Sequence, residues 1–292
     1  MTAAQLERMH DRLADQLRSD GYVIVRAALP YPVIEALDAD LARAFEETPF
    51  GEGSFYGPRT KRFGRLLARS GFAQQLVLHP IIRSIVEPIL LPRCDVIQLN
   101  VAQAIAVHPG SLQQMPHRDH DMWRIGPGET EYLVNVIWPF TRFTAANGAT
   151  LVWPGTHGPN AQSTELSGAP IVAEMAPGDA LLFLGSTAHG AGANRTNEVR
   201  RGCVIGYSLG WLKTYENQFL AYPPEVARSF SPELAALVGY RQHRPNLGNY
   251  EGQCPSVVLH GTIDAPLGAI DALRPDQVAM VDAFAEDQRR MQ

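Results

Sequence analysis

Hydrophobic residues recur at helical spacing along the first ninety positions of the chain. Leu6, Met9, Leu13 and Leu17 are separated by three, four and four residues, which predicts an amphipathic helix over residues 3–19. Apolar positions at similar spacing, and a proline at the start of one segment, predict three more helices. These helices are expected at 32–45, 63–78 and 80–90, with a short buried strand at 22–25 and an irregular, glycine-rich segment at 50–62.

The pattern changes near Asp95, where short strand-like runs replace the helical spacing. Turn signals separate these runs, among them HPG at 108–110, GPGE at 126–129 and APGD at 176–179. Many short strands at fairly regular spacing indicate a β-sandwich or barrel, with the preceding helices covering one sheet. The predicted strands are Val96–Val107, Tyr132–Phe140, Ala149–Trp153, Ile171–Met175, Ala180–Leu184 and Arg201–Leu209.

After Leu212 the strand pattern fades, and helical runs are predicted near 224–239 and 266–286. The fold class we predict is therefore mainly β with flanking helices. We expect one domain over residues 1–292, made of a helical N-terminal part (1–94), a β core (95–212) and a C-terminal lid or extension (213–292).

Composition and charge narrow the class of protein. The chain has 292 residues, 45% of them hydrophobic, which is ample for a core. A formal net charge of −5 without any basic run argues against a nucleic-acid partner. Three widely spaced cysteines, a charged N-terminus and no long apolar run predict a cytoplasmic protein without membrane association. The expected partner is a small-molecule substrate, and a homodimer is left open.

The candidate chemistry begins with a His-x-Asp pair at His117 and Asp119. In an extended segment both side chains point to the same side, so they can close on one metal ion. His189 follows a buried strand in a glycine-rich bend, where the backbone can approach a ligand closely. Two imidazoles and one carboxylate form the ligand set of non-haem Fe(II) oxygenases.

Strand parity distinguishes two adjacent arginines downstream. Arg200 shares a face with mostly small residues, such as Gly202 and Gly206, which leave room inside a barrel. Arg201 shares the opposite face with larger apolar residues, which suggests packing against helices. A buried guanidinium needs an anion, and a bidentate fork suits a carboxylate. Arg200 is therefore the candidate for binding a diacid cosubstrate.

At this point the sequence resembles the phytanoyl-CoA dioxygenase-like family of Fe(II)/2-oxoglutarate oxygenases, from about residue 20 to 212. The resemblance depends on four spaced motifs in the family's order. They are Q-x-x-H-x-D (114–119), NGAT-x-x-x-PGTH (147–157), APGD-x-x-x-F (176–183) and HGAGAN-x-x-x-x-x-R (189–200).

The resemblance implies a double-stranded β-helix, the jelly-roll or cupin-like fold, with iron at one open end. It implies His117, Asp119 and His189 as catalytic metal ligands and Arg200 as the partner of the distal carboxylate of 2-oxoglutarate. It further implies cosubstrate contacts from Gln114, Thr150 and, in a segment where alignment is weaker, Arg62. His120 and Asp121 have no matching position, so we expect them to lie beside the site or at the surface.

The implied cofactors are Fe(II), 2-oxoglutarate as cosubstrate and O₂. The expected reaction oxidises a C–H bond of a small, largely apolar metabolite and releases succinate and CO₂. Hydroxylation, desaturation, cyclisation and epoxidation all fit, whereas the carboxylate of Asp119 disfavours halogenation. The substrate pocket is expected from the loop at 122–131, the irregular N-terminal segment and the C-terminal lid. Two alternatives are a cupin-like metal hydrolase or isomerase and a catalytically silent binding protein of the same fold.

Overall fold

The structure is a computed structural model that describes residues 3–291 except 125, 127, 129, 164, 167, 262 and 264; of residues 3–7 it describes the backbone alone. Parts of the predicted turn at 126–129 and of the predicted substrate loop at 122–131 therefore lie outside the described residues.

Helices precede and follow a β core, as predicted. The apolar positions that predicted the second helix form its buried face, with Ile34, Leu37 and Leu41 fully buried. The predicted helix at 63–78 is two short helices, because Ser70 interrupts it and donates its hydroxyl to Asp40. The helices are α1 Ala3–Asp20, α2 Tyr31–Glu47, α3 Leu66–Arg69, α4 Ala73–Val77, α5 Pro80–Leu90, α6 Gln218–Ala221, α7 Pro224–Ala227, α8 Pro232–Leu237 and α9 Pro275–Met291.

The strands form two antiparallel sheets. They are β1 Tyr22–Val25, β2 Thr60–Phe63, β3 Ile97–Val107, β4 Leu133–Pro139, β5 Thr150–Val152, β6 Ile171–Val172, β7 Ala180–Leu184, β8 His189–Ala191 and β9 Arg200–Leu209. The larger sheet has the order β1-β7-β4-β9-β3-β2, and the smaller has the order β6-β5-β8.

The two faces of the larger sheet carry different residues. On β9, Cys203, Ile205 and Tyr207 pack into the core formed with the helices. On β7, Leu181 and Phe183 face the opposite way and pack into a second apolar cluster with residues of the smaller sheet. Helices therefore cover one face of the larger sheet, and the smaller sheet lies against the other. This arrangement agrees with the predicted jelly-roll fold class.

Other elements also differ from the sequence prediction. The strand expected at Ile171–Met175 is only β6 Ile171–Val172, and the helical run expected near 224–239 is the two short helices α7 and α8. Part of the segment predicted to be irregular is the strand β2, which pairs with β3 at the edge of the larger sheet and carries Lys61 and Arg62. Charged residues are typical of an edge strand, but they hide its apolar alternation. The last helix, predicted over 266–286, begins only at Pro275. Residues 265–274, which include Gly268, have no regular secondary structure. The division of the domain into three parts stays a prediction.

No helix in the described part of the chain has both the length and the apolar character that a membrane span requires. The cytoplasmic location stays a prediction.

Candidate active site

Main-chain hydrogen bonds bring the two candidate histidines together. The His117 N–H donates to the His189 carbonyl at 3.0 Å, and the His189 N–H donates to the His117 carbonyl at 2.9 Å. His189 begins β8, so the loop that carries His117 continues the smaller sheet at that edge. Arg118 is extended, with φ −121° and ψ 128°, and Asp119 begins a short 3₁₀ turn. The extended backbone allows His117 and Asp119 to point to the same side.

The three side chains form a compact cluster of metal-ligand type. Asp119 Oδ1 lies 3.4 Å from His117 Nε2, and Asp119 Oδ2 lies 3.5 Å from His189 Nε2. All three candidate ligand atoms lie within 4.8 Å of one another. His189 is buried, whereas His117 and Asp119 are partly exposed. Two nitrogens and one carboxylate oxygen at this separation match the donor set that non-haem Fe(II) prefers.

Each imidazole is held through its other ring nitrogen. His117 Nδ1 lies 3.0 Å from the Met115 carbonyl, and His189 Nδ1 lies 3.1 Å from the Thr187 carbonyl. A carbonyl oxygen can only accept a hydrogen bond, so Nδ1 carries the proton in both rings. The lone pair of each Nε2 is therefore available to a metal ion, in the arrangement usual for histidine ligands.

The charge on Asp119 is fixed by its surroundings. Burial raises the pKa of this carboxyl, but the nearby His189 and His117 outweigh burial and hold the pKa far below its usual range. The pKa of His117 is raised, because hydrogen bonding and charge from Asp119 outweigh the lowering effect of its burial. Asn135 on β4 donates Nδ2 to Asp119 Oδ2 at 2.6 Å. The cluster thus contains an ionised carboxylate in a fixed orientation.

A cavity opens from this cluster between the two sheets. It encloses about 770 Å³ of space, including the part open to solvent. His117, Asp119 and His189 line one part of it, and Arg200 and Arg62 line it as well. Its remaining wall is largely apolar and includes Phe55, Val101, Met122, Leu133, Ile137 and Val204.

Arg200 is a buried cation without a carboxylate partner among the described residues. Its Nη1 donates to the Gly148 carbonyl at 2.8 Å, and its guanidinium stacks on Phe143 at 4.3 Å. A Cβ at residue 202 would lie 2.9 Å from the Phe143 ring, so Gly202 makes room for this stacking. Burial, and then the charge of Arg62, lower the pKa of Arg200 to about 9. The Arg200 Nε is buried and unpaired in the described structure.

Arg62 is a second cation that lines the cavity. Its guanidinium lies 5.1 Å from the centre of the Tyr56 ring, and its Nη1 donates weakly to Gln103 Oε1 at 3.5 Å. Burial lowers the pKa of Arg62, although the nearby Tyr215 partly offsets this effect. Within the described residues neither Arg62 nor Arg200 forms an ion pair closer than 4.0 Å. Two such cations favour an anionic ligand, because a buried charge without a counter-charge is costly.

Arg201 has a different environment, as its parity predicted. Its Nη2 forms an ion pair with Asp38 of α2 at 2.5 Å, and its guanidinium lies 5.6 Å from the centre of the Phe45 ring. This arginine therefore already has a carboxylate partner in the helical layer.

Comparison with known proteins identifies the family. The family model described as phytanoyl-CoA dioxygenase (PhyH) matches residues 17–202. The chain belongs to this family. Dioxygenase aneA of Aspergillus aculeatus is 33% identical over 79% of this chain and 82% of its own length. Dioxygenase FrzG of Cladobotryum sp is 29% identical over 80% of this chain and 86% of its own length.

Solved structures support the fold. A non-heme alpha-ketoglutarate-dependent epimerase, SnoN from nogalamycin biosynthesis, superposes with a TM-score of 0.59 at 20% identity and covers 70% of this chain and 84% of its own. HygX from Streptomyces hygroscopicus, solved with nickel and 2-oxoglutarate, has a TM-score of 0.55 at 16% identity over 74% and 90% of the two chains. The predicted family and enzyme class, a non-haem Fe(II)/2-oxoglutarate-dependent dioxygenase, are confirmed.

Two further residues that the sequence singled out also line the cavity. Gln114 has backbone partners for both groups of its amide: Oε1 accepts from the Ala191 N–H at 3.2 Å, and Nε2 donates to the Phe55 carbonyl at 3.3 Å. Gln114 thus ties the loop before His117 to β8 and to the glycine-rich segment. Thr150 is buried on β5, where its backbone pairs with Ala191. Their contacts with the cosubstrate stay predictions.

His120 and Asp121 do not join the cluster. His120 Nε2 lies 3.1 Å from Asp121 Oδ1, so the two form a pair of their own. His120 is buried, and two-thirds of the Asp121 side chain is exposed.

Sequence reasoning did not single out several residues that line the cavity or lie directly behind its wall. Asn135 contacts Asp119, and Phe143 contacts Arg200. Tyr56 and Tyr215 share a 2.6 Å hydrogen bond between their hydroxyls. A polar residue on an otherwise apolar inner strand was an available signal for Asn135. Tyr56 and Tyr215 lie in the irregular N-terminal segment and in the C-terminal lid, which were expected to contribute to the pocket, but no pattern distinguished them from their neighbours. Phe143 stands in a context that is equally consistent with a core position.

Proposed function

We propose that this chain oxidises a small, largely apolar metabolite with 2-oxoglutarate and O₂, releasing succinate and CO₂. One observation carries the proposal: a His–Asp–His cluster with an ionised carboxylate lines the same cavity as Arg200, a buried cation without a carboxylate partner among the described residues. The cluster fits a divalent iron, and the arginine fits the free carboxylate of a keto-diacid. A hydrolase or isomerase with the same ligands would leave Arg200 without a purpose.

In this proposal His117, Asp119 and His189 hold Fe(II) from one side. Bound iron and 2-oxoglutarate supply the activation of O₂ and the oxidation of a C–H bond. The protein keeps both Nε2 lone pairs free by binding Nδ1 to backbone carbonyls. Asn135 holds one carboxylate oxygen of Asp119 in place, which orients the ligand.

Arg200 binds the distal carboxylate of 2-oxoglutarate in this proposal. Its guanidinium is held in position by the Gly148 carbonyl and by Phe143, so little side-chain freedom is lost on binding. Arg62 adds positive charge from the edge strand β2, and Thr150 contributes a hydroxyl-bearing side chain from β5. Gln114 acts indirectly, because its amide is bound to the backbone.

The prime substrate is expected to be apolar, because Phe55, Val101, Met122 and Leu133 line the cavity. Hydroxylation, desaturation, cyclisation and epoxidation all remain candidate outcomes. The fold itself hosts varied chemistry, since structural neighbours are described as an epimerase and a carbocyclase. A homodimer stays a prediction.

Succinate release tests the proposal. The purified chain is supplied with Fe(II), 2-oxoglutarate and O₂ and tested with a panel of neutral apolar metabolites. Charged analogues of the same metabolites are tested separately for comparison. We expect an apolar compound to stimulate succinate release above the rate without substrate. Absence of Fe(II)-dependent 2-oxoglutarate consumption under every condition would contradict the proposed reaction class.

A further inference from the structure

A second cavity adjoins the cavity that contains the His–Asp–His cluster. It encloses about 1090 Å³ of space, including the part open to solvent. Residues 54–60 and 110–114 form most of its lining. The residues that line both cavities are Phe55, Tyr56, Arg62, Gln114 and Ala191. These shared residues form a partition between the two cavities.

Part of this partition belongs to the glycine-rich segment, residues 50–59, which consists of turns and irregular backbone. Gly53 and Gly57 stand on either side of Phe55 and Tyr56, and their φ values are 86° and 84°. Glycine adopts such values readily, whereas other residues do so at a cost. Segments without a regular ladder of hydrogen bonds also open more easily than helices and strands. The partition therefore includes backbone that is able to rearrange.

Two hydrogen bonds join this part of the partition to distant parts of the chain. Gln114 Nε2 donates to the Phe55 carbonyl at 3.3 Å, and the hydroxyls of Tyr56 and Tyr215 lie 2.6 Å apart. The Tyr215 N–H donates to Asn100 Oδ1 at 2.9 Å, which ties Tyr215 to β3. The hydrogen bond between the tyrosines thus joins the glycine-rich segment to a residue held by the larger sheet.

The tyrosine pair lies at the accessible side of the cavity. Tyr56 is 37% exposed and Tyr215 is 43% exposed, and both line the cavity. Burial, and then the hydrogen bond to Tyr56, raise the pKa of Tyr215 to about 12. This hydroxyl therefore keeps its proton at neutral pH and stays able to donate.

Arg62 lies against the same pair. Its guanidinium is 5.1 Å from the centre of the Tyr56 ring, and its Nε is buried. Because Arg62 lines both cavities, movement of Tyr56 would join them at a positively charged point. An opening lined by a cation suits the passage of an anion.

We propose that the hydrogen bond between Tyr56 and Tyr215 is a clasp that controls the exchange of 2-oxoglutarate. With the bond formed, the glycine-rich segment closes the partition and encloses the cosubstrate. With the bond broken, the segment moves and opens a path for the anion past Arg62. Tyr56 and Tyr215 are positioning residues in this inference, because they act by holding the segment. The inference rests on the proposed function, since the molecule exchanged is its cosubstrate.

Release of labelled cosubstrate tests the clasp. The chain is loaded with Ni(II) and labelled 2-oxoglutarate, excess unlabelled 2-oxoglutarate is added, and the label that stays bound is followed. Tyr56→Phe and Tyr215→Phe each remove the hydrogen bond and keep the ring, so each should release the label at least about threefold faster than wild type. Release at the wild-type rate in either variant would overturn the inference.

The double variant separates one clasp from two independent contacts with the cosubstrate. Both substitutions remove the same bond, so the double variant should release the label at the rate of each single variant. Effects of the two substitutions that multiply would overturn the inference. Tyr31→Phe is the control, because Tyr31 is exposed at the start of α2 and lines neither cavity. It should release the label at the wild-type rate, and faster release would also overturn the inference.

Hydrogen exchange of the metal-free chain gives a readout that needs neither metal nor cosubstrate. Backbone amides of residues 50–59 should exchange at least about threefold faster in Tyr56→Phe and in Tyr215→Phe than in wild type. Unchanged exchange in both variants would contradict the clasp. If wild type binds no labelled 2-oxoglutarate, the proposed function fails and the inference fails with it. If wild type binds the label but both variants release it like wild type, only the clasp fails.

Discussion

Asn135 Nδ2 lies 2.6 Å from Asp119 Oδ2 and donates a hydrogen bond to this carboxylate. The amide reaches Asp119 from the inner face of β4, and β9 leaves space for it. A Cβ at residue 206 would lie 2.8 Å from Asn135 Oδ1, so Gly206 is the residue that permits this contact. Asn135 therefore sets the orientation of the one carboxylate in the cluster.

Replacing Asn135 should weaken iron binding. Asn135→Leu keeps a similar volume but removes the donor, and loss of such an outer partner typically costs about 10- to 100-fold in metal affinity. The Fe(II) concentration needed for half-maximal 2-oxoglutarate consumption measures the effect. Gln98→Leu is the control, because Gln98 donates to the Leu209 and Leu212 carbonyls, and its removal should lower stability alone. An unchanged Fe(II) requirement in Asn135→Leu would disprove the orienting role.

The two adjacent arginines should respond differently to truncation. Arg200→Ala should raise the KM for 2-oxoglutarate at least about tenfold, which corresponds to about 1.4 kcal/mol. Arg201→Ala removes the ion pair with Asp38 and should lower the free energy of unfolding by about 1 kcal/mol, with a small effect on KM. Steady-state kinetics of both variants measures the KM for 2-oxoglutarate, and urea unfolding measures the free energy of unfolding. A larger KM effect in Arg201→Ala would reverse the assignment.

Asp179, in the APGD turn, should contribute to stability in a pH-dependent way. Its carboxylate accepts from the Ala27 N–H at 2.9 Å, the Ala176 N–H at 3.0 Å and Arg26 Nη1 at 2.8 Å. Burial raises the pKa of Asp179, but these hydrogen bonds outweigh burial, so the pKa lies below its ordinary value. The folded state therefore binds this proton less readily than the unfolded chain does.

A carboxyl whose folded pKa is depressed stabilises the protein above its unfolded pKa, about 3.9, and loses that contribution as pH falls through the folded value. Asp179→Asn should lower the free energy of unfolding at pH 7 by about 1–3 kcal/mol. The difference from wild type should shrink below about pH 4. Urea unfolding of wild type and of Asp179→Asn, from pH 7 to below about pH 4, measures this difference in the free energy of unfolding. A difference that does not vary with pH would refute the explanation.

Several parts of the fold and site follow from the sequence because they depend on local periodicity. The face of β9 that carries Cys203, Ile205 and Tyr207 packs against the helices, and Arg200 lines the cavity on the other side, as alternation requires. The grouping of His117, Asp119 and His189 was predicted from side-chain parity and motif spacing. Its physical basis is the pair of main-chain hydrogen bonds between His117 and His189.

Other parts could not be predicted, because they depend on how distant segments meet. The contact between Asn135 and Asp119 needs the position of β4 relative to a loop, which no local pattern specifies. Phe143 stacks on Arg200 only because Gly202 leaves room on the neighbouring strand. The register of β3 against β9 shifts at Asn100, and this bulge depends on how the two strands and the segment after β9 meet.

The most direct test of the central claim is Fe(II)-dependent succinate formation in Asp119→Ala and His189→Ala, measured beside Asp121→Ala. Asp121 lies two residues from Asp119 but pairs with His120, outside the cluster. We predict that both cluster variants lose succinate formation while Asp121→Ala retains it. Full turnover in both Asp119→Ala and His189→Ala would contradict the assignment of this cluster as the iron site.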